Sequence, residues 1–426
     1  MTTIRLNCAK ILQTVLEEKV FFGELKKQVS EQDLPYVNML ILLIFRHLCG
    51  LKKILKLFLQ KKIPHKNRIV EYLLLSATAE ILYTQTAPYA VINETVNHIK
   101  KTCDKYMAGM ANAVLRRVVA DKESLRQKAD KVSPLPDTFL PVLEGYGAAE
   151  IKNIADSVNA VPPLDITVKE NPTAWSEKMQ ATLLPSGSLR LFSYPKIHEL
   201  PEYNSGSWWI QDAAAALPVK AMGNVFGLNV ADLCAAPGGK TAQLAAAGAK
   251  VTALDISEGR LATLQQNMQR LGFNDVHTIC DDALHFMQTY PEKFDAVLLD
   301  APCSATGTFR RHPEVLHIKT AEDVQLQQKL QRQMLNKCHN ILKVGGTLLY
   351  SVCSISKDEG EKQIEEFIKE NKHFQIVPIK NEDISACGQW KNALILPNGC
   401  VRTLPYYERD LSGMDSFFIC KMQRII

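Results

Sequence analysis

The chain has 426 residues, 46% of them hydrophobic and 22% charged, and its formal net charge is +5 at pH 7. This composition excludes a disordered chain, and the length is enough for two or three domains. The apolar run Met39–Phe45 near the start is too short to span a membrane, and the first residues lack the pattern of a signal peptide. We therefore expect a cytoplasmic protein without membrane segments.

Residues 1–132 are predicted to form an all-helical domain, because apolar residues recur there at helical spacing and the prolines lie at breaks. Residues 1–140 also carry the positive charge, with 22 Lys and Arg against 13 Asp and Glu. The excess is densest in residues 51–68, which contain seven basic residues, Lys52 and Lys53 among them, and no acid. This segment indicates a polyanion-binding domain or, alternatively, a solvated helix face.

Residues 131–141 contain three prolines and no periodicity, which indicates a linker. Residues 140–215 mix strand alternation with turn signals, so we expect a small α+β connector there. From about residue 225 short apolar strands alternate with helices, and we assign a third domain to residues 216–426. Such alternation is typical of a mostly parallel, doubly wound sheet; the predicted fold class is an all-α bundle followed by α/β.

Three strand ends in the third domain carry residues suited to a nucleoside ligand. The first strand leads into the glycine-rich turn ADLCAAPGGKT (residues 231–241), which matches neither the dinucleotide fingerprint nor a phosphate loop. The second ends at Asp255, whose carboxylate can accept both hydrogen bonds of a ribose diol. The third is followed by Asp282, placed to meet an adenine amino group, with Asp281 as a competitor. Each acid alone could be a helix cap, but together they favour a nucleoside site.

Two further strand ends carry thiols: Cys303 in LLDAPCSATGTFRRHPE, three residues after Asp300, and Cys353 in LLYSVCSIS. Because the two predicted strands are successive, both thiols should face one cleft. They could be metal ligands, a redox pair, or a nucleophile and its helper. The nearby further ligand is His312 alone, no Cys-x-x-Cys pair occurs among the eleven cysteines, and nothing supplies an electron route. We therefore expect no metal and no disulfide, and favour nucleophilic chemistry beside an acid.

Attack on a pyrimidine fits these groups. C5 of cytosine accepts a methyl group only after a thiolate has added at C6, and a carboxyl group at N3 relieves the resulting charge. After methyl transfer a base removes the C5 proton and the thiol leaves. Sulfur suits both steps, because it adds and departs at neutral pH.

The segments ADLCAAPGGKT, ALDIS, LLDAPCSATGTFRRHPE and YSVCSIS resemble the RNA cytosine-5 methyltransferases that use S-adenosylmethionine. The resemblance runs from about residue 205 to the last strand, and it implies a class I, Rossmann-like methyltransferase domain with S-adenosyl-L-methionine as cofactor. It implies that Asp255 meets the ribose, Asp282 the adenine side, and Asp300 both cofactor and target base. It assigns the cofactor loop to Cys234, Ala235, Ala236, Pro237, Gly238, Gly239 and Lys240.

The same resemblance assigns different roles to the two thiols. Their spacing in the sequence does not distinguish these roles. It implies that Cys353 is the nucleophile and that Cys303 assists release of the methylated product. The chain departs from the family at Val352, where a threonine is usual. Since a hydroxyl there is not the attacking group, we expect a small effect.

The front of the chain resembles the all-helical NusB RNA-binding domains, through APYAVINETVNHIKK and MANAVLRRV. A NusB-like bundle, a connector and a cytosine-5 methyltransferase domain in this order resemble bacterial small-subunit rRNA methyltransferases. This implies methylation of an unstacked cytosine in 16S rRNA, of the cytosine-967 type, by a monomer acting on naked rRNA or an early precursor particle. Candidate phosphate contacts are Lys52, Lys53, Arg116, Arg117, Arg310 and Arg311, with helix-end or loop charges as the alternative.

Four other functions are weighed against this one. A tRNA cytosine-5 methyltransferase would share the catalytic domain. A DNA cytosine-5 enzyme would attack with a Pro-Cys thiol such as Cys303, and an amino-group methyltransferase would carry Asn/Asp-Pro-Pro-Tyr where this chain has Asp-Ala-Pro-Cys. A non-catalytic RNA-binding factor would need neither thiol, so the presence of Cys303, Cys353 and Asp300 argues against it.

Overall fold

A computed structural model describes residues 4–59, 61–103, 105–290 and 293–426. By packing, the chain forms two compact units. The helical unit comprises the residues up to 141 together with residues 148–159 and 309–320. The sheet unit comprises residues 142–147, 160–308 and 321–426. The observed division therefore differs from the expected segments: most of the connector packs with the sheet unit, whereas residues 309–320 leave it.

The helices and strands follow the order expected from periodicity. The helices are α1 (Ile4–Glu18), α2 (Phe22–Leu25), α3 (Leu34–Phe58), α4 (Ile69–Tyr83), α5 (Pro88–Thr102), α6 (Lys105–Ala120), α7 (Lys122–Asp130), α8 (Ala148–Ser157), α9 (Pro172–Met179), α10 (Ala213–Met222), α11 (Gly239–Ala246), α12 (Glu258–Leu271), α13 (Ala283–Thr289), α14 (Val315–Ile318), α15 (Ala321–Lys337), α16 (Glu361–Glu370) and α17 (Asn381–Ile384). The strands are β1 (Leu164–Val168), β2 (Thr182–Leu183), β3 (Leu189–Leu191), β4 (Trp208–Ile210), β5 (Asn229–Leu233), β6 (Lys250–Asp255), β7 (His277–Cys280), β8 (Phe294–Asp300), β9 (Leu342–Val352), β10 (Phe374–Ile376), β11 (Val401–Arg402) and β12 (Phe418–Arg424).

The core of the helical unit is built around α4, which is apolar on nearly all sides and buried along most of its length. Its one buried acid, Glu80, is fully enclosed. Arg5 donates to both Glu80 oxygens at 2.8 Å, and the Tyr36 hydroxyl donates to Oε1 at 2.7 Å. A buried carboxylate is tolerated only with such partners, so this bidentate pair ties α1 and α3 to the central helix.

Helix α3 is long and apolar enough to cross a membrane by length and composition. Half of its most apolar window is buried within the protein, and residues such as Leu40, Ile44 and Leu48 belong to the helical core. The same test is passed by the core helix of a globular bundle, and this packing accounts for the apolar composition of α3.

Residues 309–320 pack into the helical unit because α14 contributes Val315, Leu316 and Ile318 as buried apolar residues. Arg46 of α3 donates through Nη2 to the backbone oxygen of Arg310 at 2.9 Å. The Arg310 side chain is only 1% exposed. The expected phosphate contact of Arg310 is therefore corrected: its guanidinium lies inside the unit, away from any solvent-borne phosphate, while Arg311 stays half-buried.

The connector contributes a small antiparallel sheet with strand order β2-β3-β1-β4 to the sheet unit. Asp165 on β1 and Arg190 on β3 are paired across this sheet by two hydrogen bonds of 2.7 Å. Both side chains are buried, so the planar guanidinium fork satisfies both carboxylate oxygens where water cannot.

The main sheet has strand order β10-β12-β9-β8-β5-β6-β7, with β11 paired to β12. Strands β9, β8, β5, β6 and β7 run parallel, as the strand–helix alternation predicts, and β10, β11 and β12 are antiparallel additions. The chain leaves β5 for β6 on one side and returns to β8 on the other. In such sheets the crevice for a ligand forms at the carboxyl ends of the strands, where the order reverses.

Inside this crevice wall, Asp232 of β5 is completely buried. Its Oδ2 accepts a hydrogen bond from the Thr241 hydroxyl at 2.6 Å, while Oδ1 has no hydrogen-bond partner in the part of the chain that the structure describes. Burial raises the pKa of Asp232 to about 7, with the Thr241 bond acting against that shift. A raised carboxyl pKa contributes stability at low pH that is lost as the pH rises towards the folded-state value.

We expect Asp232→Asn to remove this pH dependence. Between pH 4 and pH 7 the unfolding midpoint of the variant should rise relative to that of the parent, because in the parent the unfolded state loses the Asp232 proton across this window while the folded state keeps it, and the variant has no such proton. Thermal unfolding at several pH values measures the difference. Asp295→Asn is the control: the pKa of Asp295 is lowered by its hydrogen bond from Lys343, so its titration falls below this window. A constant difference for Asp232→Asn across the window would contradict the assignment.

Candidate active site

The loop after β5 forms the floor of the crevice. Cys234 and Gly238 have φ angles of 63° and 102°, and a Cβ at Gly238 would lie 2.9 Å from a Leu264 side-chain carbon, so both conformation and space require glycine there. The Ala236 amide donates to Asp255 Oδ2 at 3.1 Å, and the Ser257 amide to Oδ1 at 3.0 Å. The end of β6 thus holds the loop in place.

A cavity of about 280 Å³ opens at these strand ends. Asp255 lies at its wall, nearly buried, and each of its oxygens retains an acceptor site beyond the backbone bond it already accepts. Leu284 and Leu330 supply apolar surface, and the side-chain oxygen of Gln327 is buried there with no hydrogen-bond partner among the described residues. A carboxylate for a diol, apolar faces for a flat ring and an unused acceptor fit the nucleoside part of S-adenosylmethionine.

Asp281 and Asp282 both line this cavity. Asp282 caps α13 by accepting from the His285 amide at 3.0 Å, as its position before the helix favours. Asp281 accepts from the Asp282 amide at 2.8 Å, and its pKa is lowered by the hydrogen bond from the His285 ring. The choice between the two acids for the adenine side therefore stays open.

The other six residues of the predicted cofactor loop do not line this cavity. Pro237, Gly238 and Gly239 line a separate cavity of about 240 Å³, which they share with Trp208 and Trp209. Among the seven predicted loop residues in the described chain, Cys234 alone lines the nucleoside cavity. The burial of Cys234 raises the pKa of its thiol, which marks it as a packing residue rather than a nucleophile.

Lys240 and Asp300 form the charged centre of the crevice. Lys240 Nζ lies 2.6 Å from Asp300 Oδ2, and the Ser351 hydroxyl donates to Asp300 Oδ1 at 2.7 Å. Burial is the largest single influence and would lower the pKa of Lys240, but the charge and hydrogen bond of Asp300, together with the charges of Cys353 and Asp232, outweigh it and the pKa is raised. The ammonium also lies 5.1 Å from the centre of the Phe417 ring. Asp300 is thus held from both sides and keeps a fixed orientation.

The two candidate thiols are in contact. Cys303 Sγ lies 3.3 Å from Cys353 Sγ, and both side chains are half-buried. The pKa of Cys303 is raised well above its ordinary value, first by its hydrogen bond with Cys353 and then by burial. The charge of Lys240 also interacts with Cys353. The hydrogen bond and burial therefore favour the protonated form of the Cys303 thiol.

Three residues at the thiols carried no sequence signal. Ser351 lies within a strand, Gln331 within a polar helix, and Glu359 in the segment SISKDEGE, which has the composition of an exposed turn. In the fold, all three side chains are buried, and each hydrogen-bonds to the β8 or β9 strand ends. Only Gln331 could have been found from the sequence, because the helical period of α15 places it on the inward face.

The four remaining RNA candidates, Lys52, Lys53, Arg116 and Arg117, are all exposed on the helical unit. Arg116 lines a groove of about 960 Å³ between α5 and α6. Its lining within the described chain includes the exposed Tyr89, three asparagines and three cations but no acid: Asn93, Asn97, Lys100, Lys105, Asn112 and Arg116. Lys52 lines a second cavity of about 610 Å³, where one acid, Glu71, stands among six basic residues: Lys52, Lys56, Lys61, Lys62, His65 and Arg68.

Comparisons of the sequence with known proteins identify the family of the chain. A family model described as 16S rRNA methyltransferase RsmB/F matches residues 226–423, and one described as the NusB family matches residues 2–120. Ribosomal RNA small subunit methyltransferase B of Pasteurella multocida is 31% identical over 404 residues, which are 89% of this chain and 90% of that protein. The enzyme of the same name from Erwinia tasmaniensis is 29% identical, covering 91% of this chain and 94% of that one.

Solved structures share the fold. The structure of PH0851 superposes with a TM-score of 0.77 at 22% identity, covering 100% of this chain and 99% of its own. NSun6 from Pyrococcus horikoshii, solved with SFG, a S-adenosylmethionine analogue, matches 68% of this chain and 98% of its own with a TM-score of 0.56 at 19% identity. Because a relative is 31% identical over most of both chains, the chain belongs to the ribosomal RNA small subunit methyltransferase B family, whose cofactor is S-adenosylmethionine.

Proposed function

We propose that the chain methylates C5 of a cytosine in 16S rRNA, of the cytosine-967 type, through a covalent bond between Cys353 Sγ and C6 of the base. The observation that carries this proposal is the 3.3 Å contact between Cys303 and Cys353 at the ends of adjacent parallel strands. Two thiols in contact beside a fixed acid–base pair suit a reaction in which one sulfur bonds the substrate and the other handles its release.

The reaction begins with Cys353. Its thiolate adds to C6, the C5–C6 double bond opens, and negative charge develops towards N3. Asp300, held by Lys240 and Ser351, binds the N3 edge of the base and passes to N3 the proton that the Cys353 thiol gives up. S-adenosylmethionine, when bound, would supply an electrophilic methyl group: the electron pair at C5 would form the new carbon–carbon bond while the sulfur–methyl bond breaks and S-adenosylhomocysteine leaves.

Product release needs a proton removed and a sulfur expelled. A base takes the proton from C5, the double bond re-forms, and the C6–sulfur bond breaks with its electrons returning to Cys353. Cys303 donates a hydrogen bond to the departing sulfur. The raised pKa of Cys303 supports this role, because its proton is retained at neutral pH.

The helical unit is proposed to hold the RNA. Its groove between α5 and α6 joins cations to amide side chains and an exposed tyrosine, a combination that suits phosphates and unpaired bases together. The basic cavity at Lys52, with Lys53 beside it, and the exposed Arg117 would add phosphate contacts, as would Arg311. Since both thiols, Asp300 and the nucleoside cavity come from one chain, a monomer suffices; we propose that it acts in the cytoplasm, on naked rRNA or a precursor particle.

Trapping of RNA distinguishes the two thiols. We expect Cys303→Ala, incubated with S-adenosylmethionine and 16S rRNA, to give a protein–RNA band on a denaturing gel, because the adduct forms but is released slowly. Cys353→Ala should give no band and no methylation. The reverse pattern would exchange the roles, and two variants that both methylate like the parent would refute covalent catalysis.

The affinity for S-adenosylmethionine tests the proposed roles of Asp255, Asp281 and Asp282. We expect Asp255→Asn to weaken S-adenosylmethionine binding by about 10-fold or more, because charge-assisted hydrogen bonds contribute about 1.5–3 kcal/mol. Asp281→Asn and Asp282→Asn, measured by the same calorimetric titration, decide the adenine side: one should weaken binding and the other should not. Asparagine still caps a helix, so Asp282→Asn should keep α13 intact. Unchanged affinity in all three variants would place the cofactor elsewhere.

The salt dependence of RNA binding tests the groove. We expect Arg116→Ala to weaken binding to 16S rRNA and to reduce the slope of log affinity against log salt by about 0.7, the change for one phosphate contact on a single strand. Arg126→Ala is the matched control, because Arg126 is an exposed arginine on α7 that pairs with Asp130 outside the groove. Equal slope changes in the two variants would mean that general charge, and not the groove, binds the RNA.

A further inference from the structure

Behind the two thiols lies a carboxylate that the proposed chemistry does not use. Glu359 is completely buried, so it cannot touch a base or a cofactor in the crevice. An unpaired carboxylate at such a depth would be strongly destabilising, and its retention in the fold depends on hydrogen bonds that satisfy its oxygens. Those bonds run to both of the loops that carry the thiols.

Glu359 binds the residue that follows each cysteine. Its Oε1 accepts from the Ser304 amide at 2.9 Å, and its Oε2 accepts from the Ser304 hydroxyl at 2.5 Å. The Ser354 hydroxyl donates to the same Oε2 at 2.5 Å. One rigid carboxylate therefore joins the residue after Cys303 to the residue after Cys353.

Two further side chains, those of Gln331 and Tyr350, hold Glu359 in place. Gln331 of α15 donates to Glu359 Oε1 at 2.9 Å and also to the backbone oxygen of Pro302 at 2.9 Å, so Cys303 is held on both sides. The Tyr350 hydroxyl donates to the backbone oxygen of Glu359 at 2.8 Å. Both carboxylate oxygens thus accept two hydrogen bonds each, and the group has a single orientation.

The sheet alone does not set the spacing of the thiols. The pairing of β8 with β9 reaches Asp300 and Ser351, and one more bond joins the Ala301 amide to Ser351. Beyond that point several hydrogen bonds link the two loops. The Gly307 amide donates to the Cys353 oxygen at 3.0 Å, the Thr306 hydroxyl lies 3.0 Å from the Ser354 hydroxyl and accepts from the Ile355 amide at 3.3 Å, and the Ser304 and Ser354 hydroxyls lie 3.3 Å apart. The Glu359 carboxylate adds a link that accepts from the hydroxyls next to both sulfurs.

We propose that Glu359 is a positioning residue that holds the Cys303 and Cys353 loops so that both sulfurs face one reacting base. This positioning role rests on the proposed function, in which one sulfur attacks the base and the other assists release of the product. Misplacement of a reacting group by about 1 Å can lower a rate by about 100-fold. Glu359 would therefore affect methyl transfer without touching RNA or S-adenosylmethionine.

The spacing of the thiols can be measured without any methylation. An azodicarboxamide oxidant converts the two thiols to a disulfide: the sulfurs give up two protons and two electrons, and the nitrogen–nitrogen double bond takes them to become a hydrazine. Mass spectrometry of the Cys303–Cys353 cross-linked peptide follows the rate in the full chain. We expect Glu359→Gln to form it at least about 10-fold more slowly, because the amide NH₂ turns a donor towards Ser304 or Ser354.

Glu80→Gln is the matched control, because Glu80 is an equally buried, hydrogen-bonded glutamate in the helical unit. It should lower the unfolding temperature yet leave the cross-linking rate at the parental value. Ser304→Ala and Ser354→Ala each remove one hydrogen-bond donor to Glu359. They provide the test if Glu359→Gln does not fold. They should slow cross-linking by smaller factors, and S-adenosylmethionine affinity should stay within about twofold of the parent in every variant, since these side chains lie outside the nucleoside cavity.

The outcomes separate this proposal from the proposed function. Parental cross-linking rates in Glu359→Gln, or in both serine variants if Glu359→Gln does not fold, would overturn the positioning role. So would an equal slowing by Glu80→Gln, which would mark a general loss of stability. If cross-linking slows as expected while neither cysteine variant traps RNA, Glu359 positions the thiols and the covalent mechanism is what fails.

Discussion

The parallel pairing of β8 with β9 is the constraint on which the site depends. It aligns Asp300 with Ser351, and the residues that follow each strand then leave the sheet at the same edge. Cys303 and Cys353, distant in the sequence, therefore come within 3.3 Å of each other. Parallel strands require a crossover between them, and here that crossover contains α15, whose Gln331 returns to the same strand ends.

A series of carboxylates follows the strand ends, and their environments give them different roles. Asp232 is buried with one hydrogen-bonded oxygen, and its pKa rises to about 7. Asp255 is held by two backbone amides. Asp300 is paired with Lys240, the ammonium that also interacts with Cys353. The same residue type thus lies in three different environments, because burial and partners differ at each strand end.

The charged residues of the helical unit are distributed differently from the strand-end carboxylates. It keeps a few charges inside with partners, as at Arg5 and Glu80, and exposes other cations, some of which line two concave surfaces. Exposed cations stay hydrated and attract phosphates over a long range. A buried arginine such as Arg310 is not accessible to a polyanion. A count of basic residues in the sequence does not separate these two groups.

Local patterns in the sequence predicted many of the helices and strands and singled out the candidate site residues, whose roles stay predictions. Apolar periodicity predicted α1, α3, α4 and the parallel strands β5, β6, β8 and β9, and strand ends singled out Asp255, Asp300 and both cysteines. These features are local, because a strand end and a glycine turn are encoded within a few residues. The tertiary structure alone decided that Arg310 is buried, that residues 309–320 pack with the helical unit, and that Glu359 lies under both thiols. Burial and hydrogen bonding between distant segments depend on which surfaces meet in the folded chain, and no local pattern around SISKDEGE or FRRHPE carries that information.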